Sequence, residues 1–191
     1  MRGRISHRQQ RGRSPQHHRG RSRGGNYPSK SSEAPRAQQI AWSKQMTSQD
    51  ATVNSVLSLF AAHGQRFEAR NVATTAHRVA KIGRKRSHRL KQDNRMKALT
   101  SACLNLINEF EAQGLANVAW AFATIGIEAP ALFNAIAAAT LKKLDSFKPQ
   151  ALANTAWAFG TASVEAPDLF NAIAVVALNK LDGFTPQALA N

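Results

Sequence analysis

The apolar positions of the C-terminal half recur at helical spacing and predict pairs of helices. In PQALANTAWAF, residues 149–159, apolar residues three and four positions apart form one wide face. The pattern stops at residues 160–163 and restarts after Glu165. Pro149 and Pro167 stand at the predicted helix starts, where a missing N–H group costs nothing. Because no segment alternates with the period of a strand, we predict an all-α fold.

The helical pattern is repeated. Residues 110–146 align with residues 147–183 at an offset of 37 without a gap, and 23 of the 37 positions are identical. A weaker copy, FEARNVATTAHRVAKIG at residues 67–83, aligns with residues 110–126 at an offset of 43. Since one pair of helices cannot bury both of its apolar faces, the repetition predicts an α-solenoid of helix-turn-helix units of about 37 residues.

The repeats divide the chain as follows. We predict a disordered Arg/Gly/Ser-rich tail and linker at 1–48, then degenerate helical repeats at 49–109 with a basic loop at 83–93. Complete repeats follow at 110–146 and 147–183, and a truncated repeat begins at 184–191. Because the sequence stops inside a first helix, we expect a fragment of a longer protein. Cys103, Trp120 and Trp157 are predicted to be core residues.

Charge separates the two halves of the chain. Residues 1–97 contain 22 Lys and Arg against four acids, whereas residues 98–191 contain four Lys against seven acids. This asymmetry favours a polyanionic partner, with nucleic acid ahead of a membrane, although a merely solubilising tail is an alternative. No apolar run approaches the roughly 20 residues that span a bilayer, so we expect no membrane partner.

The basic segments have alternative interpretations. The tail MRGRISHRQQRGRSPQHHRGRSRGG has the arginine/glycine character of RNA-binding tails, but an organelle transit peptide would also be Arg-rich and poor in acids. KIGRKRSHRLK, residues 81–91, would also serve as a nuclear-import signal.

No constellation of residues indicates catalysis. The sequence lacks a Ser/His/Asp set, paired carboxylates, a phosphate-binding loop and metal-ligand spacing. We therefore expect a protein that is not an enzyme, with no cofactor, no metal and no small-molecule substrate.

The polar positions of the first helices predict an RNA-binding surface. Positions i, i+4, i+8 and i+11 form the predicted stripe, and Ala121 and Ala158 occupy its i+8 position in the two strong copies. Amide side chains there would contact base edges, and basic side chains would hold phosphates. The predicted RNA contacts are Arg70, Thr74, Arg78, Lys81, Arg84, Lys85, Arg86, Arg89, Gln113, Asn117, Thr124, Gln150, Asn154, Thr155 and Thr161.

The asparagines and Thr155 differ in how well the copies support an RNA contact. Asn117 and Asn154 are identical between the copies, so each could equally bond a neighbouring turn and fix the stacking. Thr155 differs from its counterpart Val118, which suits a residue that discriminates between RNA sequences.

NVATTAHRVAK and PQALANTAWAF resemble the helical-repeat RNA-binding proteins of organelles. The pattern is similar to octotricopeptide repeats, to the FAST-kinase-like and RAP-domain group, and to helical-repeat subunits of the RNA-editing substrate-binding complex. The resemblance covers roughly residues 50–191, and no RAP-like domain is present.

This resemblance implies a non-catalytic protein that binds single-stranded organellar RNA during its processing, stabilisation, editing or translation, with other RNA-processing proteins as further partners. It implies a mitochondrial or plastid location, with nucleus and cytoplasm as alternatives. The neutral C-terminal repeats keep a second function open, a scaffold for protein–protein interaction.

Overall fold

All secondary structure in the part of the chain that the structure describes is helical. The computed structural model describes residues 34–186, and the predicted all-α fold is confirmed. The predicted disordered tail before residue 34 and most of the predicted truncated repeat lie outside the described residues. The helices are α1 (Arg36–Thr47), α2 (Val53–His63), α3 (Ala69–Gly83), α4 (Ser87–Gln92), α5 (Asn94–Asn105), α6 (Ala112–Ile125), α7 (Pro130–Leu141), α8 (Pro149–Thr161) and α9 (Pro167–Leu178).

The helices form two rows. The first helices of successive pairs, α1, α3, α6 and α8, lie side by side, and α2, α5, α7 and α9 form the second row, with α4 inserted between α3 and α5. In α6, which lies between α3 and α8, the side chains of Ala116, Ala119 and Ala123 are buried. Small side chains at these contacts let neighbouring helix axes approach closely.

The two strong sequence copies correspond to the pairs α6–α7 and α8–α9. A 3₁₀ turn follows each pair, at Leu144–Ser146 and Leu181–Gly183. Pro149 and Pro167 are the first residues of α8 and α9, as predicted. Between the pairs, the rings of Phe133 and Phe159 meet edge to face with centroids 5.2 Å apart.

The first helices of both copies end in the same turn. After α6, Gly126 adopts the left-handed conformation with φ 71°, and after α8, Ser163 takes φ 53° at the equivalent position. In each turn the next residue, Ile127 or Val164, donates its N–H to a carbonyl five residues earlier. This bond is that of a Schellman cap, which satisfies an otherwise free helix carbonyl.

In both strong copies, a lysine after the second helix (α7 or α9) ties it to the preceding inter-repeat segment. Lys143 Nζ donates to the carbonyl oxygens of Asn108 and Phe110, at 2.8 and 2.7 Å. Lys180 Nζ donates to the carbonyls of Asp145 and Phe147, both at 2.8 Å. Two of the four lysines after residue 97 therefore have a structural partner.

Residues 36–47 are not a linker, so that part of the predicted boundary at residue 48 was wrong. Helix α1 buries Gln39, Trp42 and Met46, and the ring of Trp42 stacks on His63 with centroids 5.2 Å apart. The pattern was missed because the buried stripe has only two apolar residues and a glutamine. The buried amide is nonetheless satisfied, since Gln39 Nε2 donates to the carbonyl of Arg66 at 2.7 Å.

The predicted basic loop at 83–93 is also helical. The chain continues from α3 through a 3₁₀ turn at Arg84–Arg86 into α4. Leu90 is buried and anchors α4, which contacts α6. One apolar residue in a run of cations gives too little periodicity to predict a helix.

Cys103 is fully buried in α5, as predicted, and burial raises the pKa of its thiol. A thiol of raised pKa in apolar surroundings is a small core residue rather than a nucleophile.

Candidate nucleic-acid interface

One surface of the first-helix row holds most of the predicted RNA contacts. Three neighbouring helices, α3, α6 and α8, present partly or fully exposed side chains there at equivalent positions. We call this surface the polar face. It consists of Arg70, Thr74, His77 and Lys81 of α3, Gln113, Asn117 and Trp120 of α6, and Gln150, Asn154, Trp157 and Thr161 of α8.

The third position of each stripe was predicted wrongly. Ala121 and Ala158, at i+8, are fully buried, whereas Trp120 and Trp157, at i+7, are partly exposed. With 3.6 residues per turn, i+7 lies about 20° from position i, whereas i+8 lies about 80° away. The two tryptophans, which were predicted to be core residues, pack against the core but are only partly buried.

His77 of α3 occupies the position equivalent to these tryptophans. Its ring contacts that of Trp120, with centroids 5.1 Å apart and planes inclined by 42°. His77 was not among the residues predicted for the site. A signal for it exists in the sequence, because His77 aligns with Trp120 at the offset of 43 residues between the copies.

The amide residues form the same pair in both strong copies. Gln113 Nε2 donates to Asn117 Oδ1 at 2.9 Å, and Gln150 Nε2 donates to Asn154 Oδ1 at 2.9 Å. Each asparagine therefore bonds a residue of its own helix rather than a neighbouring repeat, which argues against a role in fixing the stacking. The pair leaves amide N–H groups at a partly exposed surface, where they can donate to a ligand.

Two threonine predictions fail because the hydroxyl groups are buried. Thr155 is 0 % exposed and donates to the carbonyl of Ala151, and its counterpart Val118 is equally buried. Neither residue can discriminate between bases in this arrangement. The hydroxyl of Thr124 is buried without a hydrogen-bond partner. Thr74, by contrast, is half-buried, and its hydroxyl donates to the carbonyl of Arg70.

The basic residues of α3 differ in their availability. Arg78 donates from Nε to the carbonyl of Met46 and from Nη2 to that of Ser48, so it caps the end of α1 rather than facing a ligand. Arg70 lies 4.0 Å from Glu111, and both side chains are mostly exposed. An ion pair so exposed contributes little and is easily exchanged for a phosphate contact. Lys81 is exposed.

The segment that follows α3 adds a basic patch beside Lys81. Its cations all lie on the surface, and the described residues show no ion pair for any of them. Because Leu90 anchors this segment, the cations have fixed backbone positions. The basic patch consists of Arg84, Lys85, Arg86 and Arg89.

The polar face and the basic patch meet at an open pocket. Its lining residues are His77, Lys81, Arg84 and Trp120. Burial lowers the pKa of His77, and the nearby charges of Lys81 and Arg78 lower it further. The imidazole at this pocket is therefore neutral at pH 7.

A match to a protein-family model shows which family the chain belongs to. A model described as RNA-editing substrate-binding complex 6 protein matches residues 65–191, from just before α3 onwards. The chain belongs to the RNA-editing substrate-binding complex 6 protein family. No curated protein matches the chain.

Family membership confirms the predicted similarity to a subunit of the RNA-editing substrate-binding complex, and with it a role connected to RNA processing. The resemblance to octotricopeptide repeats and to the FAST-kinase and RAP group stays a prediction. The whole polar face lies within the residues that the RNA-editing substrate-binding complex 6 model matches.

Two further findings concern the described part of this family member. Within residues 34–186, no three His, Cys, Asp or Glu side chains are grouped so that they could hold a metal ion. Among the helices of the same residues, none is both long and apolar enough to cross a membrane.

Proposed function

We propose that this chain is a non-catalytic RNA-binding subunit of an RNA-editing complex, and that single-stranded RNA binds along its polar face. The observation that carries the proposal is the alignment of α3, α6 and α8, which brings cations, amide groups and aromatic rings onto one continuous surface. A strand lying across these helices would meet one first helix after another, as in other helical-repeat proteins that bind RNA.

The cations would supply affinity. Arg70, Lys81 and the basic patch lie at the α3 end of the polar face, and phosphate contacts made there are independent of base sequence. The two ion pairs within the described residues join Arg70 to Glu111 and Arg95 to Asp93. The positive charge of the α3 end is therefore largely uncompensated and would attract a polyanion.

The α6 and α8 end would supply contacts to bases. Trp120 and Trp157 are partly exposed, and an indole can stack on any base. The Gln113–Asn117 and Gln150–Asn154 pairs lie beside them and can hydrogen-bond to base edges.

We further propose that the protein acts in an organelle, mitochondrion or plastid, on an organellar transcript. Family membership and the resemblance of the repeats support this location. Fusing residues 1–48 to a fluorescent protein tests the targeting role of the N-terminal segment. Import into either organelle would support the proposal, and uniformly nuclear fluorescence would contradict it.

A protein-interaction scaffold is the second candidate function. Leu141 and Leu178 lie at equivalent positions of the second-helix row, and they are 42 % and 67 % exposed. Exposed leucines on a row of near-neutral helices suit a protein partner better than RNA.

A charge-matched comparison tests RNA binding by the polar face. Fluorescence anisotropy with a single-stranded RNA of mixed sequence would be measured between about 50 and 200 mM salt. One full-length variant carries Arg70→Gln and Lys81→Gln on the polar face, and the other carries Lys97→Gln and Lys142→Gln, which change exposed lysines outside the first helices. Both variants lose two charges and keep the tail.

We expect the polar-face variant to bind RNA about tenfold more weakly than the wild type. The slope of log affinity against log salt concentration should become less negative by about 1.4. The control should lie close to the wild type. Equal losses of affinity in both variants would mean that RNA binds by general charge attraction and not at the polar face. Binding that neither variant changes would leave the tail as the RNA-binding segment and favour the scaffold.

A further inference from the structure

The pocket at the junction of α3 and α6 combines two kinds of side chain that occur together nowhere else on the polar face. His77 and Trp120 provide rings, and Lys81 and Arg84 provide positive charge. Our inference concerns the part of the RNA that this pocket binds, and it rests on the proposed function.

The rings form an apolar wall. Their centroids lie 5.1 Å apart, and the 42° inclination leaves a notch rather than a flat stack. The lowered pKa of His77 keeps the imidazole neutral, so the wall carries no charge of its own at pH 7. A partly exposed indole beside a neutral ring offers a planar ligand a stacking surface.

The cations stand beside this wall and are available. Lys81 lies one helical turn beyond His77, and Arg84 begins the 3₁₀ turn that follows α3. Both are exposed, and the described residues show neither an ion pair nor a hydrogen bond for their side chains. A guanidinium and an ammonium at one edge of a stacking surface match a phosphate attached to a planar base.

The neighbouring junction lacks this combination. Trp157 is partly exposed at the equivalent position of α8, but Thr124 of α6 and Ile127, which follows α6, replace Lys81 and Arg84. The α6–α8 junction can therefore stack a base but lacks the equivalents of these two cations.

We propose that the pocket binds one nucleotide of the RNA strand, with the base stacked on Trp120 and the adjoining phosphate held by Lys81 and Arg84. This nucleotide anchors the strand at the α3 end of the polar face. The bases that follow stack on Trp157 or contact the amide pairs with less affinity for each nucleotide.

The three tryptophans give the experiment a separate signal for each environment. Trp42 is 4 % exposed and lies away from the pocket, whereas Trp120 and Trp157 are partly exposed. The full chain, labelled with ¹⁵N-tryptophan, would be titrated with oligoadenylate and oligouridylate of about 12 nucleotides, a length that covers a typical single-strand site. Indole N–H signals would be assigned from single Trp→Phe variants.

We expect the Trp120 signal to shift first and furthest, the Trp157 signal to shift less, and the Trp42 signal to stay in place. Trp120→Leu should weaken binding by about tenfold, Trp120→Phe by much less, and Trp157→Leu by less than Trp120→Leu. The double change Lys81→Gln and Arg84→Gln should reduce the salt dependence and diminish the Trp120 shift.

Binding that leaves the Trp120 signal unmoved, or shifts the Trp157 signal equally, would overturn the anchoring pocket while leaving RNA binding by the polar face intact. Absence of RNA binding by the full chain would overturn the proposed function itself, and the pocket with it. The wild-type titration decides the matter even if Trp120→Leu does not fold.

Discussion

Helix α3 and helices α6 and α8 occupy equivalent places in the stack but present different side chains to solvent. Val79, Phe122 and Phe159 share one framework position and are all fully buried. At the positions where α3 has the exposed residues Arg70 and Lys81, α6 has Gln113 and Thr124. The comparison shows which positions hold the repeat together and which are free to define what it binds.

Truncation of a buried core side chain should have the largest effect on the stability of the fold. Phe122→Ala removes a fully buried ring of α6 and should lower the free energy of unfolding by about 3–5 kcal/mol. Chemical denaturation followed by circular dichroism measures the loss. As the control, Phe170→Ala truncates a ring that is 38 % exposed and should cost far less. Similar losses for both would contradict the assigned packing.

The lysine contact after α7 is a framework feature that the sequence copies share but the α3–α5 unit lacks. Lys143→Met keeps the aliphatic stem and removes two hydrogen bonds, so it should cost about 1–2 kcal/mol. Lys142→Met changes an exposed neighbour and should be close to neutral. If the two variants unfold at the same denaturant concentration, the lysine does not tie the repeats.

The helix-ending turn distinguishes the two strong copies by one residue. Ser163 adopts a left-handed φ of 53° where the first copy has Gly126. Because glycine takes this conformation without steric cost, Ser163→Gly should stabilise the protein by about 0.5–1 kcal/mol. The reverse change, Gly126→Ser, should destabilise it. A destabilised Ser163→Gly variant would mean that the serine side chain has a role beyond the turn.

His77 of α3 should make the stability of the folded protein depend on pH. Because the pKa of His77 lies below its ordinary value of 6.5, the unfolded chain binds this proton more readily than the folded chain. The stability due to a neutral His77 is complete above about pH 6.5 and is lost as the pH falls below that value. As the pH is lowered from about 8 to 5, the melting temperature should therefore fall more steeply for the wild type than for His77→Asn. Parallel curves would contradict the lowered pKa.

The sequence predicts the fold well wherever apolar periodicity is strong. It places α8 and α9 correctly because Pro149 and Pro167 mark their starts, and because identical residues recur between copies. It misses α1, whose buried stripe includes Gln39, and α4, which has Leu90 as its buried residue. In both helices the decisive contacts are made with residues distant in the chain, which local periodicity does not record.

The site was harder to predict than the fold. The predicted stripe of amides and cations lies largely at the surface, but Thr155 is buried and Arg78 caps α1. Its contact with RNA stays a prediction. Burial depends on which neighbouring helix covers a face, and α6 and α8 are covered on more than one side. The rings at position i+7, those of His77, Trp120 and Trp157, were missed as site residues. Tryptophan in an apolar run suggests a core residue, and its partial exposure is visible only once the helices are packed.

RNA bound to this protein should lie on the polar face of the first-helix row. Photocrosslinking of single-stranded RNA containing 4-thiouridine to the full chain, followed by mass spectrometry of the crosslinked peptides, tests this placement directly. We expect crosslinks in α3, α6 and α8, strongest in the peptides that contain Lys81 and Trp120. Crosslinks confined to residues 1–33, or to the second-helix row, would contradict it.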